Sequence, residues 1–372
     1  MSRRILIMPT SYNVFGAETN MLTLIKALHA SSQYQIHVLI SGWNNGQFES
    51  ELKKAGICNY SFFKLGWFYL SKPLWTVDGL VHLPAAYMHF LRLYHTFKPD
   101  VIFTNTYRYL FQLFPFFTCP VVLKIQDQLS VDRQARWILL RIDRKIHYYC
   151  VVSDFIRMDL ISLGINPDKI KVIHTGMEAE AKWQKTNYLK QDILRIGMVG
   201  QIIPRKGHHV LIQALEKLAD KSHPFILEIW GTGDETYIRK IKSQIQDLKL
   251  EEYIIWKGYE SDRNRIYQDM DLLVVPTTFP QEPFAVVVVE AMAYGIPVIA
   301  SNGGGFPEII DHGKNGFLFA PGDADELAQY IAIMLQQPDL RRKMGEAARK
   351  KVEQQFTKEK MLHAFFDLLN EM

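Results

Sequence analysis

Short apolar runs punctuate the chain at regular intervals. In the first half, Ile5–Met8, Ile36–Ile40, Val101–Thr104, Val121–Ile125 and Tyr148–Val152 are rich in β-branched and aromatic residues and mostly lack polar alternation. Such runs predict strands buried on both faces. Glu18–His29 and Leu83–Phe97 lie between them as predicted amphipathic helices. Lys169–Val172 and the polar run Glu178–Gln191 mark the end of this series and a linker. The rhythm then restarts. Ile193–Val199, Phe225–Trp230, Tyr253–Trp256, Leu272–Val275, Pro297–Ile299 and Gly316–Phe319 predict strands. Val210–Ala219, Ile238–Leu248, Val286–Tyr294, Asp325–Leu335 and Leu340–Gln355 predict helices, and an amphipathic stretch, Thr357–Leu369, follows. Two βα series imply an α/β protein of two Rossmann-like domains facing one another, with ligands beyond the carboxyl ends of the strands. The expected divisions are 1–182, 183–356 and a C-terminal helix over 357–372.

Length and composition fit this picture. The 372 residues are 48% hydrophobic and 22% charged, as in ordinary globular proteins. Cys58, Cys119 and Cys150 are far apart and show no zinc spacing, so a reducing, cytoplasmic setting is expected. The basic-then-apolar start breaks at Pro9 and reads as a buried first strand rather than a leader. No apolar stretch is long enough for a transmembrane helix. The net charge of +4 is uneven: up to Glu180 there are 19 Lys+Arg against 13 Asp+Glu, and the remainder carries 24 against 26. The basic half is also aromatic-rich, which points to an anionic surface or acceptor. No nucleic-acid partner is expected, because no binding signature for one is present.

Four segments carry candidate chemistry. In Glu282-Pro-Phe-Ala-Val-Val-Val-Val-Glu290, a loop carboxylate precedes a helix start and a second carboxylate sits inside an apolar helix. Free N–H groups at that start suit a phosphate, and carboxylates suit pairs of sugar hydroxyls. Glu282 as a solvated loop residue is an equal reading, but Glu290 in apolar surroundings needs a partner. Gly200-Gln-Ile-Ile-Pro-Arg205-Lys206-Gly207 presents adjacent cations before the next helix. It suits phosphate oxygens, is not in Walker order, and reads equally as a basic surface turn. Asn302-Gly-Gly-Gly305 allows close backbone approach to an anion or sugar, or is a flexible loop. Phe15-Gly16-Ala17-Glu18 supplies backbone donors before the first helix. Asp269-Met-Asp271 and Asp323-Ala-Asp325 could hold a metal, but read better as a turn and an N-cap.

Taken in order, these pieces resemble the retaining glycosyltransferases of family four, with the GT-B fold. The resemblance is carried by Gly200…Arg205-Lys206-Gly207, Trp230-Gly-Thr-Gly233, Lys257-Gly258, Asp271-Leu-Leu-Val-Val-Pro276, Glu282-x7-Glu290, Gly295-x-Pro297-Val and Gly304-Gly-x-Pro307-Glu308. It implies a nucleotide diphosphate sugar donor, a sugar or lipid-linked sugar acceptor, and no metal or other cofactor. Arg205 and Lys206 would neutralise the diphosphate, Glu282 would contact the transferred sugar, and Glu290 would accept from the ribose. Backbone groups of Phe284, Ala285, Val286, Val287 and Gly16 would hold phosphate and sugar oxygens, and Tyr259 would border the base. The C-terminal helix would cross back to the first domain. The chain departs from the family at Gln126-Asp127, where many members have His-Asp, at Phe15, where a glycine is common, and at Thr175-Gly176, where Asn-Gly is usual. Gln126 keeps hydrogen bonding to the sugar but cannot titrate.

The implied mechanism is front-face transfer, with Arg205, Lys206 and helix N-termini stabilising the leaving diphosphate. Rival readings are a glycosidase built on Glu282 and Glu290, a sugar-nucleotide epimerase, and a non-catalytic nucleotide-sugar-binding protein. Gly66–Trp75 and Leu83–Phe97 combine aromatics with nearby cations. They read either as a surface for peripheral contact with an anionic membrane at the inner face of the cell membrane, or as core and acceptor-pocket lining.

Overall fold

The computed structural model describes residues 2–12, 16–67, 73–178, 193–219 and 224–372. The chain divides into two compact units, Met1–Ile173 with Ala364–Met372, and His174–His363. The division falls at the end of the first strand series rather than at residue 182. Met177 N–H already donates to Phe356 O (2.9 Å), and Lys358 N–H to Met177 O (3.0 Å), so this segment is bonded into the second unit. Apart from Glu178, the expected linker Glu178–Gln191 lies outside the described residues.

The first unit holds β1 (Arg3–Met8), β2 (Tyr34–Ser41), β3 (Tyr60–Phe63), β4 (Val101–Thr104), β5 (Val121–Ile125), β6 (Ile146–Val151) and β7 (Ile170–Val172). They form one parallel sheet in the order β3-β2-β1-β4-β5-β6-β7. Every residue of β4 and β5 is buried, as unbroken apolar runs demand. The exception in chemistry is Lys124 of β5, whose ammonium donates to Asn20 Oδ1. Burial pushes the pKa of this lysine down. The helices are α1 (Gly16–Ala30), α2 (Gln47–Lys54), α3 (Pro73–Phe97), α4 (Tyr107–Leu113), α5 (Arg133–Ile142) and α6 (Asp154–Ser162). The helix expected from Leu83 starts at Pro73 instead and runs through Pro84.

The second unit holds β8 (Leu194–Val199), β9 (Phe225–Trp230), β10 (Ile254–Gly258), β11 (Leu272–Val275), β12 (Val298–Ser301) and β13 (Gly316–Phe319), a parallel sheet in the order β10-β9-β8-β11-β12-β13. Its helices are α7 (His208–Glu216), α8 (Glu235–Asp247), α9 (Arg263–Tyr267), α10 (Val286–Ala293), α11 (Phe306–Ile309), α12 (Ala324–Gln336) and α13 (Pro338–Gln355); α14 (Lys358–Asn370) begins in this unit and ends in the first. The end of α14 packs within the first unit, with Phe365 against Phe103 (4.7 Å between rings) and Phe366 stacked on Tyr34 (5.8 Å).

In each sheet the strand order reverses once, between β1 and β4 and between β8 and β11. At such a switch point the connections leave towards opposite faces and open a crevice at the carboxyl ends. That topology selects which loops meet.

Candidate functional site

The switch point of the second unit brings together the loops that follow β8 and β11, whose strands pair through Leu272↔Ile196 and Leu273↔Gly197. The first loop ends in a single tight turn, Pro204–Lys206. Gly207 then takes φ 77° and caps α7. A Cβ there would lie 1.8 Å from Pro276 O, so only glycine lets the two loops touch. Thr278 fastens them, its N–H donating to Arg205 O at 2.7 Å.

The side chains converge on one carboxylate. Arg205 Nη1 lies 3.0 Å and Lys206 Nζ 2.6 Å from Glu282 Oε2. Glu282 is 16% exposed and Lys206 14%. Burial works to raise the Glu282 pKa, but Lys206 and then Arg205 overcome it and hold the carboxyl below its usual range. Burial, reinforced by His209 and Lys206, pushes the neighbouring His208 down to about 4. His208 is therefore neutral near pH 7, and the positive charge of this corner belongs to Arg205 and Lys206.

The chain after Glu282 enters α10. Ala285 is its N-cap residue and offers no side-chain cap. The N–H groups of Val286 and Val287 open the helix without intrahelical partners, a donor pair with the positive end of the helix dipole behind it. Phe284 is buried and stacks on His174, with ring centroids 5.8 Å apart. His174 Nε2 also meets Glu308 Oε2 at 3.1 Å.

Glu290, one turn inside α10, has the partners its setting demands. Arg263 Nε donates to Oε1 at 2.7 Å and Tyr267 O–H to Oε2 at 2.8 Å. Burial, then the adjacent carboxylate, pushes Tyr267 well above its ordinary value, so it stays a donor. The fixed carboxylate keeps lone pairs for further hydroxyls. Sequence reasoning missed both partners. The available signal was Asp262, which caps α9 by accepting from Asn264 N–H at 2.9 Å; the spacing then sets Arg263 and Tyr267 on one helix face.

The close approach allowed by Gly303–Gly305 is made to the chain's own loop. A Cβ on Gly304 would lie 2.2 Å from Glu282 O, and Gly305 N–H donates to that same oxygen at 2.9 Å. The triple glycine thus supports the Glu282 loop from behind. Tyr259 follows Gly258 at the end of β10 and is 73% exposed. Asp323 caps α12, and buried Asp271 accepts from Arg195 N–H at 2.8 Å. Among the described residues no three His, Cys, Asp or Glu side chains gather as metal ligands.

In the first unit, Gly16 opens α1 and Gln126 directly follows β5, each at a carboxyl-end connection of its sheet. Thr10 and Asn105 join the connections after β1 and β4: Thr10 N–H donates to Asn105 Oδ1 at 2.7 Å, and Asn105 Nδ2 to Thr10 Oγ1 at 2.8 Å.

Comparison with known proteins gives this geometry a family. The model for glycosyl transferases group 1 matches residues 179–351, and that for Glycosyltransferase Family 4 matches 14–181. The amylovoran biosynthesis glycosyltransferase AmsK of Erwinia amylovora is 32% identical over 53% of this chain and 49% of its own. The putative colanic acid biosynthesis glycosyltransferase WcaL of Salmonella typhimurium is 29% identical over 59% of this chain and 55% of its own. The matched region thus spans about half the length of these curated relatives. HepE of Anabaena, solved with UDP, superposes with a TM-score of 0.83 at 23% identity, covering 99% of this chain and 100% of that one. The fold is GT-B, and the chain belongs to the glycosyltransferases of family four.

Proposed function

We propose that the chain transfers a sugar, with retention and without a metal ion, from a nucleotide diphosphate sugar to an acceptor hydroxyl in polysaccharide or glycoconjugate assembly. The observation that carries this reading is the convergence of Arg205 and Lys206 on Glu282 beside the start of α10. The relatives AmsK and WcaL are named for amylovoran and colanic acid biosynthesis, and HepE was solved with UDP and with UDP-glucose.

Arg205 and Lys206 neutralise the diphosphate, and the N–H groups of Val286 and Val287 receive its oxygens. Glu290, held by Arg263 and Tyr267, accepts from the ribose. Glu282 accepts from hydroxyls of the transferred sugar, and Tyr259 borders the base. Phe284 and Ala285 shape the entry to α10. Gly16 and Gln126 are the first unit's proposed contributions to donor binding, taken from the family pattern. As the bond between the anomeric carbon and the phosphate oxygen breaks, negative charge grows on the diphosphate, where the two cations and the helix dipole stabilise it. The departing phosphate oxygen takes the acceptor's proton, and the acceptor oxygen bonds to the same face of the sugar. No protein nucleophile is needed.

A glycosidase built on Glu282 and Glu290 fits less well. Its acid needs a raised pKa, whereas that of Glu282 is lowered. The acceptor is proposed to be a sugar carried at the cytoplasmic face of an anionic membrane, with the protein in peripheral contact. The test is an incubation of pure protein with UDP-, GDP- and ADP-sugars in chelator, reading nucleotide release and product anomer by NMR. Turnover of one donor with retained configuration supports the reading; inversion, or a strict metal requirement, contradicts it.

A further inference from the structure

The first unit carries an outer face that a globular protein in water does not need. On α5, Ala135, Ile138, Leu139 and Ile142 face the core. Arg133, Arg136, Trp137, Leu140, Arg141 and Arg144 face outwards. Among the described residues none of these four arginines is in an ion pair. The acids at the helix ends are already engaged. Asp132 caps the helix through Gln134 and Ala135 N–H, and Asp143 meets Tyr149 O–H at 2.9 Å and Lys169 at 3.1 Å. The face is therefore cationic.

It is also apolar. Trp137 is 49% exposed, with the Arg141 guanidinium 4.8 Å from its ring. Phe111 of α4 joins Trp137 (5.3 Å) to exposed Phe114 (6.4 Å). The exposed turn residue Phe116 meets Tyr87 of α3 at 5.2 Å. On α3, Leu74 is 82% and Val81 69% exposed, and Trp75, Val77, Leu80 and Met88 are exposed as well. Ring contacts thus tie Tyr87 of α3 to Phe116, and Phe114 of the same turn through Phe111 to Trp137 on the arginine-bearing face of α5, while the exposed apolar residues of α3 lie along the helix that carries Tyr87. Exposed large apolar residues gathered on neighbouring elements mark an interaction surface.

We propose that this face, formed by α3, the Phe114–Phe116 turn and α5, docks on an anionic lipid bilayer. The inference rests on the membrane reading above and assigns it a surface. It also moves the cationic part of that surface to α5, which the sequence pattern had left unassigned. Charge complementarity selects the occupant. Apolar side chains enter between headgroups while arginines reach lipid phosphates from the same helix face. A nucleic acid offers nothing to Leu74, Val77 and Val81. A second copy meeting this face by two-fold symmetry would bring its own arginines into the same interface and add no acid to meet them.

The test is flotation of the full chain with vesicles of phosphatidylcholine alone and of phosphatidylcholine with equal phosphatidylglycerol. Arg136→Glu/Arg141→Glu, Trp137→Ser/Leu140→Ser and Arg136→Lys/Arg141→Lys are compared, with Arg239→Glu/Lys240→Glu on α8 of the second unit as the charge control and circular dichroism as the check on folding. The wild type, the lysine pair and the α8 control float with the anionic vesicles only. The glutamate and serine pairs lose at least about tenfold in partitioning. A wild type that stays with the unbound fraction overturns the membrane reading itself. Equal flotation of folded α5 variants leaves that reading intact and overturns this assignment, as does a dimer that the α5 changes dissolve.

Discussion

Lys206 Nζ lies 2.6 Å from Oε2 of Glu282, joining the loop after β8 to the loop after β11 across the switch point of the second sheet. Arg205 reaches the same oxygen at 3.0 Å. One carboxylate therefore holds both cations in place, and the proposed diphosphate would share them with it.

Replacing Arg205 by alanine removes a donor to the leaving group. Turnover falls by at least about 10²-fold while the protein stays folded. Single-turnover kinetics on the purified variant check this, and near-normal turnover excludes the role given to Arg205.

Glu282→Gln separates sugar recognition from diphosphate recognition. Loss of the negative charge frees Arg205 and Lys206, so the nucleoside diphosphate binds as well as or better than to the wild type. The intact nucleotide sugar loses its advantage over it. Calorimetric titration of both ligands reads the difference, and a parallel loss of both contradicts the separation.

Tyr267→Phe leaves Glu290 with Arg263 alone. The lost hydrogen bond to a charged group is worth about 1.5–3 kcal/mol. The expected kinetic signature is a raised donor KM with kcat little changed, since the ribose contact is alike in ground and transition states.

Two glycines behave oppositely. Gly207→Ala puts a Cβ 1.8 Å from Pro276 O in a backbone region that favours glycine, so both melting temperature and activity fall. A Cβ on Gly16 meets nothing within 4 Å, so Gly16→Ala keeps the wild-type melting temperature, and lost activity without lost stability would support the proposed donor contact. A melting curve for each variant decides.

His208 makes stability depend on pH. Its folded pKa is about 4, below the ordinary 6.5. Between these values the unfolded chain binds more protons, so stability falls as the pH drops from about 6.5 to about 4. The paired carboxylate of Glu282, with its lowered pKa, adds its loss only at the acid end of that range and below. Denaturant titrations across this window show the slope, and His208→Asn flattens it.

Much of the fold was legible because buried parallel strands are unbroken apolar runs. Each strand expected over Ile5–Val152 and Ile193–Phe319 is present within a residue or two. Elements with weaker patterns escaped. β3 is an edge strand of four residues, and α9 and α11 are barely more than a turn. α5 carries no assignment in the sequence reading, although Asp132 stands as its N-cap and Ala135, Ile138, Leu139 and Ile142 recur at helical spacing. At the site, the motif residues Arg205, Lys206, Glu282 and Glu290 stood out, but their pairing did not. Which carboxylate takes which cation depends on the order of strands in the sheet, and the Asp262 cap marks where α9 starts but not which carboxylate Arg263 and Tyr267 meet.

We propose that the second unit holds a nucleotide diphosphate sugar through Glu290 and the Arg205–Lys206 pair. Ligand-observed NMR with UDP-, GDP- and ADP-sugars in chelator, on the wild type and Glu290→Ala, tests it most directly. Saturation transfer to one nucleotide class, lost in the variant, is the expected result. Equal signals from both proteins, or none from any of the three donors, would contradict it.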